Sequence, residues 1–275
     1  MQISNLIISV LLGILQGLTE FLPVSSSGHL VLAKALMHIE TNQDIAFEVF
    51  VHFGTFLSVL IIFRNDVIRI LISLLEAAKH PLSVNQMYRR SGNFRLTVYI
   101  IIGCLPAGIV GLLFEHEVES FFTDPKLVSD MLLITGVILF LTRFARPPTD
   151  GNVSLIKSLG IGISQAIAII PGISRAGSTI STALLMRISQ ENAAKFSFLM
   201  ALPVIFGATL LEIRHLIDNF PRVNELIGIL LGTMSACISG YFAIKFLLRV
   251  LRRGKFSLFS YYCFALGIIG LLLID

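Results

Sequence analysis

Gln16-Gly17-Leu18-Thr19-Glu20-Phe21-Leu22-Pro23-Val24-Ser25-Ser26-Ser27-Gly28-His29 is a polar stretch, broken by Gly and Pro and set inside apolar sequence. Pro171-Gly172-Ile173-Ser174-Arg175-Ala176-Gly177-Ser178-Thr179 repeats the arrangement further along the chain. Both place ionisable groups and hydroxyls at a depth where lipid makes unpaired polar groups costly. Ionisable residues inside a membrane mark function by default. Two such stretches, each beside helix breakers, point to a site at the junction of two repeats.

The surroundings are those of a membrane protein. Of 275 residues, 55% are hydrophobic and only 14% charged, where a soluble domain carries about 25% charged residues. The net charge of +4 resides in loops, as in topology-setting basic segments, so no nucleic-acid partner is expected. Cys104, Cys237 and Cys263 lie in separate apolar segments without metal spacing and read as buried thiols. No GxxxxGK[ST] loop is present, which argues against ATP drive, and no HExxH or CxxC spacing occurs. The N-terminus lacks a basic n-region and a small-residue cleavage site, so the first segment is expected to stay in the mature protein.

Crossing a ~30 Å hydrocarbon core takes about 20 residues. Apolar runs at 46–63, 95–114, 128–143, 193–212, 226–248 and 257–274 predict six transmembrane helices, and 64–80 predicts a short amphipathic interfacial helix over 67–78. Segments 3–37 and 155–187 are interrupted by Pro23 and Pro171 and read as a helix, a break and a second short helix. Loops 64–95, 143–157 and 245–255 are rich in Lys and Arg and belong inside. Loops 38–45, 115–127 and 213–225 are poor in both or mixed, and belong outside. With those loops fixed, each broken segment enters and leaves on one face, and the two enter from opposite faces.

The expected architecture is therefore all-α and polytopic: a single membrane domain over 1–275 with six spans. Two oppositely oriented re-entrant hairpins would sit in an inverted repeat, about 1–114 and 155–248. Internal similarity supports it. Gly13-Ile14-Leu15-Gln16 answers Gly162-Ile163-Ser164-Gln165, Ser25-Ser26-Ser27-Gly28 answers Ser174-Arg175-Ala176-Gly177, and Phe53-Gly54-Thr55 answers Phe206-Gly207-Ala208-Thr209.

Opposed hairpins bring both breaks toward the midplane, where irregular backbone must be buried in protein or line a wet cavity. Gln16 and Glu20 share one helix face. A carboxylate with an amide oxygen suits a hard divalent cation such as Mg²⁺ or Ca²⁺. Alternatively, Glu20 only neutralises Arg175. Pro23 to His29 opens a short helix whose N–H groups and hydroxyls form an anion cradle, with Ser25 or Ser26 also serving as its cap. A serine there is a nucleophile if a base lies within reach. His29, beside a Gly break, is the expected proton carrier. Arg175 matches phosphate oxygens bidentately. The residues themselves make Glu20, His29, Arg175 and one serine of the Ser25-Ser26-Ser27 run the catalytic candidates. Substrate binding falls to Ser25, Ser27, Gly28, Gly172, Ser174, Gly177, Ser178 and Thr179. Gln16 and Glu20 form the metal pair. His52 reads as hydrogen-bonded core, and Glu48 as either a third polar contact to the pocket or an interfacial residue.

These motifs resemble the undecaprenyl-diphosphate phosphatases of the bacitracin-resistance type. The (E/Q)xxxE signature is Gln16 to Glu20, followed by FLPVSSSGH, and PGxSRSxxT appears as Pro171 to Thr179. The likeness covers nearly the whole chain and is densest at Gly13–His29, Phe47–Phe63 and Gly162–Glu212. One departure is Ala176, where the family usually carries serine, so no hydroxyl is needed there. The resemblance implies hydrolysis of a C55 polyprenyl diphosphate to the monophosphate and inorganic phosphate, recycling the lipid carrier for cell-wall synthesis. It also implies catalytic roles for Glu20, Ser26, His29 and Arg175 with Gln16 in support, a divalent cation, and residence in the bacterial plasma membrane with the site open to the outer face. Phosphoserine and direct water attack both stay open, as does the oligomeric state, a homodimer included. A second lipid-phosphatase type shares Ser-Gly-His and Ser-Arg fragments, but needs a further His and Asp that residues 176–190 lack. Transport is the competing class: an anion carrier or lipid-phosphate flippase could use the same opposed hairpins. Glu20 beside the phosphate cradle argues for metal-assisted chemistry instead.

Overall fold

A computed structural model describes residues 3–37, 45–114, 117, 120–146, 148, 151–218 and 223–274. The acidic loop 38–45 and parts of 115–127 and 213–225 lie outside the described residues, apart from Ile45 at the start of a helix. Continuous apolar sequence has one way to satisfy its backbone in lipid, and the chain takes it. Twelve α-helices are described: α1 (Ile3–Phe21), α2 (Ser26–Met37), α3 (Ile45–Ile62), α4 (Arg64–Lys79), α5 (Val84–Arg90) and α6 (Gly92–Leu113), then α7 (Pro125–Leu141), α8 (Leu155–Ile167), α9 (Arg175–Leu185), α10 (Gln190–Asp218), α11 (Val223–Arg252) and α12 (Phe259–Leu273). Among the described residues the only β contact is an isolated bridge between Gly151 and Ile188. The protein is an all-α, multi-pass membrane protein.

Five helices are long and apolar enough to cross a bilayer, at Gly92–Leu113, Pro125–Phe144, Gln190–Leu210, Glu225–Arg252 and Phe256–Leu273. The sixth apolar run is Ala46–Ile62, which turns by 89° into Arg64–Lys79. Asp66 and Lys195, 2.6 Å apart, tie the start of α4 to α10 at this bend. The amphipathic helix is longer than the expected 67–78, because nothing in 64–66 breaks it.

Helices α2, α8 and α9 have 12, 13 and 11 residues. At 1.5 Å per residue, each is about 20 Å or shorter, less than the ~30 Å core. α1 packs along α11 and α8 along α6. Lipid supplies no hydrophobic drive between helices, so close backbone packing must hold them. Glycine makes this possible at matched places. A Cβ on Gly13 would fall 2.2 Å from the carbonyl oxygen of Gly232, and one on Gly162 would fall 2.4 Å from that of Gly103.

The two breaks touch. A Cβ on Gly28 would lie 3.4 Å from Cα of Gly172, and one on Gly177 3.4 Å from Cβ of Pro23. Behind them sits an aromatic cluster, in which Phe198 packs on Phe21 at 5.7 Å and on Phe63 at 5.9 Å between ring centroids.

Candidate active site

Each break ends in the same local device. Ser25 lies in the left-handed region at φ 66°, and its hydroxyl accepts the amide proton of Gly28 at 3.2 Å. Ser174, in extended backbone instead, caps α9 with the same hydrogen bond, accepting from the Gly177 amide at 3.1 Å. Each cap satisfies one of the orphan N–H groups at a helix start. The next residue in each case, Ser26 or Arg175, is then the first helical residue and faces the space between the breaks. Thr135 of α7 secures the second break: its hydroxyl donates to the Gly172 carbonyl at 2.9 Å and accepts from the Ser174 amide at 3.0 Å. Gly172 itself has φ 91°, which only glycine adopts without strain.

Glu20 is the hub. Its side chain is 7% exposed. One carboxylate oxygen accepts from Nη2 of Arg175 at 2.5 Å. The other accepts from the Ser26 hydroxyl and from Nε2 of Gln16, both at 2.8 Å. Nε2 of Gln16 also stands 3.2 Å from Nδ1 of His52, which is 3.8 Å from Glu20. A buried carboxylate is therefore paired with a guanidinium and bonded to a serine hydroxyl, as P–O chemistry at a serine needs.

Of these groups Glu20, Ser26, His52 and Arg175 line a cavity of about 690 Å³, while Gln16 is buried off its wall. Its lining mixes polar residues (Glu20, Ser25, Ser26, Ser27, Glu48, His52, Gln165, Ser174 and Arg175) with apolar ones, among them Val49, Ala107, Phe122, Ile173, Val204 and Ile205. Such a cavity accepts a charged headgroup joined to a lipid chain.

Several expected residues stand elsewhere. His29 is off the cavity wall: Nε2 bonds the Tyr262 hydroxyl and Nδ1 the Ser25 carbonyl oxygen, each at 2.7 Å. Although i and i+3 positions share a helix face, the His29 ring is turned from α2 toward Tyr262 of α12. Gly28, Gly172, Gly177, Ser178 and Thr179 are also absent from the wall. The three glycines provide contact between the breaks and the sharp turn. Ser178 faces the interior of the bundle. Thr179 bonds the Arg175 carbonyl at 2.8 Å and the Ser197 hydroxyl at 2.6 Å, so it supports α9 from behind. Ala176 is buried away from the cavity, consistent with a position that needs no hydroxyl.

His52 is not core. Its side chain is 40% exposed and faces the cavity. Glu48, one turn earlier, shares that wall. Helical spacing from Glu48 to His52 was the available signal, parallel to that from Gln16 to Glu20. Gln165 also lines the cavity, and its match with Gln16 between the two repeats was the clue.

For a divalent cation, the donor chemistry fits. Glu20 offers a carboxylate, and Oε1 of Gln16 is buried without a hydrogen-bond partner in the protein. Among the described residues no three His, Cys, Asp or Glu side chains converge as a ready-made cage. That suits Mg²⁺, which commonly takes one or two carboxylates and completes its shell with substrate phosphate and water.

The fold and site define a multi-pass membrane protein with a partly polar pocket beside two helix breaks. The chain belongs to the bacitracin resistance protein BacA family, whose profile matches residues 9–269. It is 44% identical to an undecaprenyl-diphosphatase of Salinibacter ruber over 268 residues, 97% of this chain and 98% of the relative. It is 43% identical to one from Halothermothrix orenii, covering 96% of each chain. It is 38% identical to undecaprenyl-diphosphatase 1 of Bacillus licheniformis, covering 98% of each.

Proposed function

We propose that this protein hydrolyses undecaprenyl diphosphate to undecaprenyl phosphate and inorganic phosphate in the bacterial plasma membrane, with the active site open to the outer face. The observation that carries the reading is the Ser26 hydroxyl held 2.8 Å from a Glu20 carboxylate that Arg175 neutralises, on the wall of a cavity lined by both polar and apolar residues.

The diphosphate enters with its terminal phosphoryl group at the starts of α2 and α9. Arg175 keeps donors beyond the Nη2 contact for the phosphate oxygens. Ser26 Oγ attacks the terminal phosphorus, its proton passes to Glu20, and the bond to the bridging oxygen breaks. Undecaprenyl phosphate leaves as a dianion and needs no acid, which accords with His29 lying off the wall. Water then attacks the phosphoseryl group. The Ser26 Oγ–P bond breaks, Glu20 returns the proton to Oγ, and both water protons depart on dihydrogen phosphate. Positioning and charge neutralisation supply most of the rate in such transfers. Gln16 and Glu20 would hold Mg²⁺ or Ca²⁺. When bound, the ion would supply positive charge to the phosphate oxygens.

The repeat over about 1–114 and 155–248 is part of this reading. Gly13 and Gly162, Gln16 and Gln165, Ser25 and Ser174, and Gly28 and Gly177 all stand at one offset, and the first, third and fourth pairs make equivalent contacts. Two re-entrant hairpins of opposite orientation account for those equivalences.

The test is phosphate release from purified protein in nanodiscs given undecaprenyl diphosphate and Mg²⁺. Multiple turnover is expected. Passage of uncleaved diphosphate across proteoliposomes without release would replace the hydrolase with a carrier.

A further inference from the structure

Gln165 near the end of α8 is 2% exposed and lies on the cavity wall. Neither Nε2 nor Oε1 has a hydrogen-bond partner in the protein. Burying one such group without compensation is destabilising, and here both ends of one amide are unmatched. Its repeat counterpart, Gln16, spends its amide nitrogen on Glu20 and His52. Gln165 has no such partner and forms part of the wall of the cavity the substrate must enter.

The chemistry of the two open ends specifies what meets them. Nε2 donates, and a phosphate oxygen is an acceptor. Oε1 accepts, and an ionised phosphoryl group offers no donor. The remaining reactant, water, does. We propose that Gln165 contacts both reactants, with its amide N–H on a terminal phosphoryl oxygen and its carbonyl oxygen on the attacking water. It holds that water in line with phosphorus for the hydrolysis of phosphoseryl 26. This rests on the hydrolase reading above. In that step the water oxygen bonds phosphorus as the Ser26 Oγ–P bond breaks, with the protons accounted for as before. Orienting the water is a recognised task for an amide side chain in phosphoryl transfer.

A side chain reserved for reactants leaves a signature that a structural one does not. Replacing it by an apolar isostere relieves the empty protein and slows turnover. Gln165→Met is expected to raise the melting temperature of the protein in nanodiscs while lowering phosphate release about 10- to 100-fold. With undecaprenyl diphosphate labelled on the terminal phosphate, acid quench should recover label on Gln165→Met protein above the wild-type level. The label should be lost in Gln165→Met/Ser26→Ala. Gln165→Glu keeps the shape and the acceptor but loses the donor and repels phosphate, so its KM should rise. Wild-type protein that releases no phosphate would overturn the hydrolase reading and this inference together. An active wild type with an unchanged Gln165→Met rate, or a slowed variant with lowered melting temperature and no trapped label, would overturn the inference alone.

Discussion

Ser26 and Ser178 show how position separates two residues that look alike in sequence. Both follow a break by a few residues, and both have the chemistry of a phosphate ligand. Ser26 reaches Glu20 and the cavity; the Ser178 hydroxyl is buried without a hydrogen-bond partner. Ser26→Ala should therefore lower phosphate release by roughly a thousandfold or more. Ser178→Ala should leave the rate near wild type and the melting temperature equal or slightly higher, since it removes an unmatched polar group. Arg175→Lys keeps the charge but loses the planar fork that serves Glu20 and phosphate together. A loss of about 10- to 100-fold in kcat/KM is expected, and a wild-type value would remove Arg175 from phosphate binding. Gln16→Met should raise the Mg²⁺ concentration needed for half-maximal activity, because it deletes the unpartnered amide oxygen proposed to join Glu20 in holding the ion. An unchanged Mg²⁺ requirement would place the ion elsewhere. Glu20 and Arg175 are legible from sequence because charge held at membrane depth beside helix breakers is costly and seldom idle. Ser26 stands out from its two serine neighbours only through the family motif. The place of His29 is not legible, because its partner Tyr262 is far along the chain. His52 escapes a sequence reading because its partners, Gln16 and Glu20, are far away along the chain.

At the scale of elements, the site depends on how closely two short helices approach their long neighbours. α1 carries Gln16 and Glu20, α8 carries Gln165, and each is seated through a glycine against a backbone carbonyl. Gly13→Val and Gly162→Val should each push one arm outward, lowering the melting temperature and phosphate release together. Displacement of about 1 Å in such a constellation costs on the order of 10²-fold. Activity retained in either variant would show that the arm it carries does not position the site. Thr135→Val tests the second break alone. It strands a buried carbonyl and a buried amide, so a cost of about 2 kcal/mol or more is expected as a lower thermal midpoint. The breaks themselves could be read from Pro23, Gly28, Pro171 and Gly172. The clasp could not: Thr135 sits in an ordinary apolar run, and only the packing of α7 on α9 gives its hydroxyl a task.

For the whole molecule, the decisive matter is which side the cavity faces. Glu48, Val49 and His52 lie in the first half of α3, just after loop 38–45. Phe122 belongs to the segment between α6 and α7, and Thr209 lies toward the C-terminal end of α10. These contributors all stand at the ends that adjoin segments 38–45 and 115–127, poor in Lys and Arg, and the mixed segment 213–225. The basic segments, with Arg64, Arg69, Arg89, Arg90, Arg252 and Arg253, adjoin the opposite ends. Topology set by loop charge would thus place the mouth outside, where a spent lipid diphosphate has to be collected. Single cysteines at Phe122 and Arg146 test this in a background with Cys104, Cys237 and Cys263 replaced. In intact spheroplasts, a membrane-impermeant maleimide should label Phe122→Cys and spare Arg146→Cys; in inverted vesicles the pattern should reverse. Labelling at Phe122→Cys should also block phosphate release, since that side chain forms part of the cavity wall. Reaction of Arg146→Cys in intact spheroplasts with Phe122→Cys untouched would turn the molecule over. The hydrolytic site would then face the cytoplasm, with its chemistry unaltered but its lipid drawn from the other leaflet.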